Sequence, residues 1–269
     1  MMMRLSTLKN TFSMLVLTVL NLSCGSLATS LPAFYTPAAT SNHMTYMPKP
    51  MASDSVKAKN YVSASFANNS LPYETGDAAM GYLNYNRAHT FKNLNFAYGA
   101  FTYFGGTTRG YDNASRKIND DYYGKGFFGG GLRTSIGVAQ TSGNTEFRIL
   151  NWENAFVYET GNYSSFRKNL KAKRDPLSLV ADQTTMFTSG GSTEVIWSGS
   201  KNKDRQYGFR LFLGSTLGLQ RNINYGEEKL TGLASDFSFF VKIKDVYGIL
   251  SSGSNLGNNS GKITLGYSF

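Results

Sequence analysis

The sequence predicts an all-β chain, an antiparallel transmembrane β-barrel of about ten strands, with about eight to twelve as the bounds. Three observations carry this. Long segments alternate large apolar residues with small or polar ones. The composition is rich in Gly (28), Tyr (17) and Phe (19) and only 16% charged, and no stretch places Ala, Leu, Glu and Lys at helical spacing. The last segment, GKITLGYSF, keeps its alternation to the final residue. At 269 residues a single domain is expected, because barrels of this length are commonly one unit. The slightly polar mean hydropathy excludes a helical membrane bundle but not a barrel, whose alternating strands average out.

The first residues are a separate object. Arg4 and Lys9 precede TFSMLVLTVLNL, an apolar run too short to span a bilayer as a helix and suited to the core of a signal peptide. Residues 1–23 are therefore read as an export signal, in a bacterium. The only cysteine, Cys24, follows in LNLSCGS. Its place resembles a bacterial lipobox, although Asn21 stands where Leu is usual and Leu22 comes one place late; the resemblance implies a covalent lipid on Cys24. Cleavage after Ala28 is the competing reading and would discard Cys24. Removing residues 1–23 takes away Arg4 and Lys9 and no acid, so the formal charge of +10 becomes +8. On an exported protein such a surface suits anionic lipid or lipopolysaccharide phosphates, not nucleic acid.

Residues 24–55 hold four of the six prolines and no sustained period. They read as an extended, lipidated tether or a segment lying against the domain. Residues 56–269 are the barrel. Ten alternating runs are expected, at 57–68, 78–88, 94–105, 126–140, 145–159, 178–188, 193–199, 206–220, 235–251 and 261–269. In one of them Phe128, Leu132, Ile136 and Val138 share a face, and Gly129, Gly131, Arg133, Ser135 and Gly137 take the other. A soluble sandwich would fill its second face with Lys, Glu and Thr. Small residues with one charge per strand suit instead the crowded inside of a narrow barrel, and the aliphatic face then suits lipid.

Short and long spacers alternate. TSGN and SGGS read as periplasmic turns, and 106–125 and 160–177 as external loops, with the N-terminus in the periplasm. The stretch 221–234 reads as a small helix or a strand break. For the hairpin around TSGN, a register follows if Arg133 and Glu153 form a lumen charge pair: SGN is then a three-residue loop, Ile136 faces Leu150, Thr134 faces Trp152, Phe128 faces Tyr158 and Gly130 faces Phe156. At the other end of the chain Ile263, Leu265, Tyr267 and Phe269 share one parity. A strand that ends so abruptly needs a partner on both sides, which barrel closure supplies. Leu265, Tyr267 and Phe269 also resemble the C-terminal signal that barrel assembly machinery reads in bacterial outer-membrane proteins.

The signal peptide, Cys24, the Pro-containing tether with YTP at Tyr35 to Pro37, the GYLNYNRAHTFKNLNFAYGAF hairpin and the terminal Phe269 together resemble the barrel-bearing outer-membrane lipoproteins of Bacteroidota. The resemblance covers the layout of the whole chain and implies fold and location, but no activity. It also implies that, with no acidic run after Cys24, the lipid lies in the periplasmic leaflet.

Chemistry is sparsely provided. There are two histidines, His43 in the tether and His89 at a turn, neither placed to activate a serine. Asp120 and Asp121 are adjacent and point apart, and one Cys with two distant His makes no metal cluster. Gly129 to Gly131 lack the Lys and the helix of a phosphate loop. No catalytic residue, cofactor or metal is expected. The basic run Arg167, Lys168, Lys171, Lys173 and Arg174 is a solvated loop or a contact to lipid phosphates or an acidic partner. The functional expectation is a non-enzymatic accessory or structural subunit of a larger outer-membrane complex, with outer-membrane lipid, lipopolysaccharide, the assembly machinery and other outer-membrane proteins as partners. A narrow channel and a lipid-modifying enzyme are the alternatives.

Overall fold

Alternation gives each segment two faces of different chemistry, and a closed barrel satisfies both while leaving no unpaired edge. The structure is a computed structural model that describes residues 33–72, 76–110, 121–174, 178–199, 204–223 and 226–269. Its elements are β1 (Ala33–Tyr35), β2 (Ala58–Ser70), β3 (Gly76–Thr90), β4 (Leu94–Gly110), β5 (Gly126–Ser142), β6 (Thr145–Gly161), α1 (Asn162–Lys173), β7 (Ser178–Val180), β8 (Thr185–Ser198), β9 (Arg205–Ile223), β10 (Gly226–Ile243), β11 (Val246–Asn255) and β12 (Asn258–Ser268). Ten strands, β2 to β6 and β8 to β12, form one closed antiparallel barrel in chain order, and β12 pairs back onto β2. β1 and β7 make a separate parallel pair.

The lipid-facing and lumen-facing sides follow the parity of the sequence. Phe128, Leu132, Ile136 and Val138 are exposed on the outside of β5, while Gly129, Arg133, Ser135 and Gly137 point in. Phe66, Leu83, Trp152, Phe156, Leu213, Leu250, Ile263 and Leu265 continue the outer apolar belt around the barrel. A contiguous belt of this kind is a lipid contact and not a water-facing surface. About ten residues suffice for a strand to cross a bilayer; β9, with 19, and β10, with 18, reach well beyond it. The wall glycines make room for rings lying across them. A Cβ on Gly129 would stand 2.3 Å from the ring of Tyr103, and one on Gly131 would stand 2.8 Å from that of Phe101. These are direct cross-strand pairs, so two glycines of GGG are covered by aromatics on the neighbouring strand.

The count of ten strands agrees with the sequence, but several boundaries do not; the run 178–188, for one, divides into β7, which lies outside the barrel sheet, and the start of β8. SGGS is no turn, because β8 runs straight through Gly190 and Gly191. The run 235–251 is two strands, which turn at Lys244 and Asp245, where Lys244 takes the positive φ of 56°. The two errors cancel. The described residues 221–223 and 226–234 are not helical: they belong to the paired ends of β9 and β10, with a register shift between Leu230 and Gly232.

One end of the barrel carries short turns, at Phe91 to Asn93, at Gly143 and Asn144 and at Lys244 and Asp245, together with the start of β2 and the end of β12. The opposite end carries the long connections, among them α1 and β7. Tyr163 and Arg167, one helical turn apart, are the buried face of α1, with Phe166 and Leu170 packed against the core; Lys171 and Lys173 occupy its last turn, where they suit the negative end of the helix dipole.

The β5–β6 hairpin corrects the expected register. Arg133 stands opposite Ala155, and Glu153 opposite Ser135. Ile136 faces Trp152, Thr134 faces Asn154, Leu132 faces Phe156, Gly130 faces Tyr158 and Phe128 faces Thr160. The shift is two residues and has two causes. The turn is Gly143 and Asn144 alone, with Gly143 at φ 60°, and a bulge lets Ile149 and Leu150 both face outward. Each contributes one residue, so parity survives and every side chain keeps its face.

Candidate functional site in the barrel lumen

The lumen is occupied by the chain's own residues 33–51, which are buried throughout. This segment is not a free tether. It runs from β1 at the loop end to Met51 near the short turns, and most of it has no regular secondary structure. Buried backbone without a ladder must find its hydrogen bonds elsewhere. The barrel wall provides them. The Ala38 N–H donates to Glu159 Oε2 at 2.7 Å and the Ala52 N–H to Glu146 Oε2 at 2.5 Å. In the other direction Arg133 Nε donates to the His43 carbonyl at 2.6 Å, Lys262 Nζ to the Asn42 carbonyl at 2.7 Å, and Asn255 Nδ2 to the Thr40 carbonyl at 2.7 Å. Arg148 reaches the carbonyls of Lys49 and Pro50.

The wall charges are arranged around that peptide. Arg148 bridges Glu146 at 2.8 Å and Glu194 at 2.9 Å, and Arg210 bridges Glu153 and Asp236, both at 2.5 Å. Arg167 of α1 pairs with Glu159 at 2.6 Å. All are buried, and a buried charge is tolerable only when paired or fully hydrogen-bonded. Arg133 has no carboxylate within ion-pair distance among the described residues. It is held by the His43 carbonyl, by Asn84 Oδ1 at 2.9 Å and by the face of Phe101 at 3.7 Å. Apolar layers close both ends. Tyr35, Tyr103, Tyr122, Phe127 and Tyr163 cluster towards the loops, and the Tyr163 hydroxyl donates to the Thr36 carbonyl at 2.7 Å. Tyr46, Met47, Met51, Tyr61 and Phe240 cluster towards the short turns, with Tyr46 stacked on Phe240 at 4.7 Å. Below them an open vestibule of about 470 Å³ is lined by Asp54, Lys59, Gln206, Lys242, Lys244 and Asp245.

The residues singled out in the sequence fall out as follows. Arg133 and Glu153 both point into the lumen but are not partners: Glu153 belongs to Arg210. The basic run divides. Arg167 is an internal ion-pair partner and Lys171 bonds Asp182 at 2.8 Å, whereas Lys168, Lys173 and Arg174 are exposed. Leu265 and Tyr267 face outward on β12, and Phe269 exchanges two backbone hydrogen bonds of 2.9 Å with Asn60, across the seam where the barrel closes. Cys24 and the export signal lie outside the described residues.

His43 is bonded at Nε2 to Thr188 Oγ1, 2.5 Å away, and at Nδ1 to the Ala39 carbonyl. A ring against a hydroxyl is the arrangement of an activated nucleophile. Here the third member is a carbonyl and not a carboxylate, Thr188 is also bonded to Thr216 Oγ1, and both His43 and Thr188 are sealed from solvent. The contact positions the peptide. His89 stacks on Tyr98 at 6.1 Å, away from the lumen. Among the described residues no three His, Cys, Asp or Glu side chains come together as a metal site.

What the sequence reading missed is the lumen plug and its ligands, Glu146, Glu159, Arg148, Asn255 and Lys262. Their signal is inward parity, shared by charged residues on many strands of one narrow barrel, which asks for a polar occupant.

No family model matches the chain, and no curated protein sequence does. Among solved structures it is similar to an outer membrane channel from Pseudomonas putida F1, at 9% identity and TM-score 0.40, over 87% of this chain and 100% of that one. It is also similar to the translocator domain of the autotransporter NalP from Neisseria meningitidis, at 9% identity and TM-score 0.32, over 81% and 90%. The transport unit of the autotransporter AIDA-I from Escherichia coli gives 10% identity and TM-score 0.34, over 82% and 93%. At these identities the likeness is one of β-barrel fold, and nothing about activity is taken from it.

Proposed function

We propose that this chain is a plugged, non-conducting outer-membrane barrel that serves as a structural or accessory subunit, holding its loop end, α1 and the long β9–β10 hairpin as a platform for other outer-membrane components. The observation that carries this reading is the occupancy of the lumen by residues 33–51. A pore would need that space, and an enzyme would need access to His43 and Thr188. The exposed Lys168, Lys173 and Arg174 add a cationic patch suited to lipopolysaccharide phosphates or an acidic partner. Phe269 at the seam suits a role in recognition by the assembly machinery.

Two measurements test the reading together. In planar bilayers the purified full-length protein should show no steady conductance steps; regular steps would establish the channel alternative. Native electrophoresis from the producing organism, in mild detergent, should place the protein in a complex of defined composition that dissociates only on harsher solubilisation. A protein that migrates as a lone barrel there refutes the subunit role.

A further inference from the structure

The outer apolar belt is interrupted on one side of the barrel. Thr134 of β5 stands opposite Asn154 of β6, Asn154 opposite Ser189 of β8, and Ser189 opposite Ser215 of β9, so polar residues form one row across four adjacent strands. All four take the outward parity and lie within the belt, not at its rim. Leu132 and Ile136 flank Thr134 along its strand, Trp152 and Phe156 flank Asn154, and Leu213 and Leu217 flank Ser215. Ser189 has Phe187 on its loop side and, beyond Gly191 and Thr193, Val195 on its turn side. The barrel satisfies this row incompletely. Asn154 Nδ2 donates to Thr134 Oγ1 over a long 3.4 Å, and Asn154 Oδ1 has no partner among the described residues. Ser189 Oγ accepts from the Trp152 indole N–H at 2.9 Å, which leaves the Ser189 proton without an acceptor among the described residues. Thr102, also on the outer face, is different: its hydroxyl donates into the wall, to the Gly129 carbonyl at 2.9 Å.

We propose that this row is the contact between two copies of the chain, packed side by side in the membrane about a two-fold axis. Acyl chains offer no hydrogen bonds, and lipid headgroups do not reach groups flanked on both sides by the apolar belt, so the row gains only from protein. Its chemistry selects the protein. Serine and threonine hydroxyls and the asparagine amide each donate and accept, and none is charged, so the row complements itself, as an isologous interface requires. With the axis between its two central residues, Asn154 of one copy meets Ser189 of the other, and the contact is made twice. Gly191, next to Ser189 on the outer face of β8, has no side chain to hold the second wall away. The inference rests on the reading of the chain as a membrane subunit and names one partner, another copy. Conductance and complex composition test that reading, whereas association between copies tests this one.

The experiment uses the full-length chain in an outer-membrane-producing host, in a Cys24→Ser background. Ser189→Cys places a thiol beside the axis, and Ala64→Cys places one in the apolar belt of β2, on the far side of the barrel. Both variants are first shown to be folded by heat-modifiable migration in unboiled gels. On oxidation with a membrane-permeant oxidant, Ser189→Cys should give a reducible band at the mass of a dimer and Ala64→Cys should not. In parallel, a tagged copy should retain an untagged copy in mild detergent, and Asn154→Leu should lower that retention about tenfold while the barrel still folds. Leucine suits lipid better than asparagine does, so a merely structural Asn154 would give a barrel that folds and associates as before. No dimer band from Ser189→Cys, equal bands from both thiols, a crosslink to a different protein only, or retention unchanged by Asn154→Leu would each overturn the inference. A mixed complex that holds a single copy of the chain would overturn it too, and would leave the subunit reading standing.

Discussion

Arg133 Nε donates to the carbonyl oxygen of His43 at 2.6 Å, tying a lipid-spanning strand to the peptide that crosses the lumen. The bond explains a charge that has no carboxylate partner among the described residues. Its loss exposes the logic of the interior: Arg133→Met keeps most of the volume and the contact with Phe101 but leaves the buried His43 carbonyl without a donor, at a cost of about 1–3 kcal/mol. Chemical unfolding of the barrel in lipid vesicles should show a loss of that size. An unchanged midpoint and slope would mean that the bond contributes nothing.

Glu153 answers to Arg210 and not to Arg133. Removing one member of a buried pair leaves an uncompensated charge, so Glu153→Gln or Arg210→Met alone should cost about 3–5 kcal/mol. The double variant should lose much less than the sum. A cycle between Glu153→Gln and Arg133→Met should instead be close to additive, within about 0.5 kcal/mol. Strong coupling in the second cycle and none in the first would restore the pairing that the strand pattern alone suggests.

The register of β5 and β6 can be read by crosslinking in a Cys24→Ser background. Ile136→Cys with Trp152→Cys brings two directly opposed, outward-facing thiols together and should form a disulfide under mild oxidation. Ile136→Cys with Leu150→Cys should not, because Leu150 stands opposite Val138. A reversed outcome places the turn on three residues and removes the bulge.

The seam between β12 and β2 depends on the last residues. Ser268 pairs with Tyr61, Tyr267 with Val62, and Phe269 exchanges backbone hydrogen bonds with Asn60. Deleting residues 267–269 strips these partners from β2 in a medium where unpaired groups cost about several kcal/mol each, so the barrel should fail to assemble. A truncated chain that still shows a folded, heat-modifiable band would contradict closure at this seam.

Outside the membrane, Lys59 bonds Asp245 at 2.9 Å in the turn between β10 and β11. The hydrogen bond and charge of Lys59 hold the Asp245 carboxyl below its ordinary value of 3.8. A depressed carboxyl stabilises the fold above its unfolded value, and the contribution fades as pH falls through the folded one. The stability difference between the native chain and Asp245→Asn should therefore stay constant from neutral pH down to the ordinary carboxylate range and vanish only below it. A difference already lost near neutral pH would show that another group is titrating.

Parity was legible in the sequence, and with it which side chains meet lipid. Phe128, Leu132, Ile136 and Val138 lie outside and Arg133 inside whatever the register, because two one-residue steps, a tight turn and a bulge, restore the same parity. The number of strands came out at ten because a false turn at Gly190 and Gly191 and a missed turn at Lys244 and Asp245 offset each other. Gly190 looks like turn punctuation, yet it sits within β8 because a side chain there would strike the Leu213 carbonyl and the ring of Phe212. The turn at Lys244 and Asp245 carries no glycine to announce it. Residues 33–51 show no period because their hydrogen-bond partners are not neighbours in the chain but Glu159, Asn255, Arg133 and Lys262, drawn from strands far apart in sequence. An aperiodic, proline-bearing peptide reads locally as a tether. Only closure of the wall gathers those side chains around one axis, and a buried backbone that must satisfy its polar groups then becomes the occupant of the lumen.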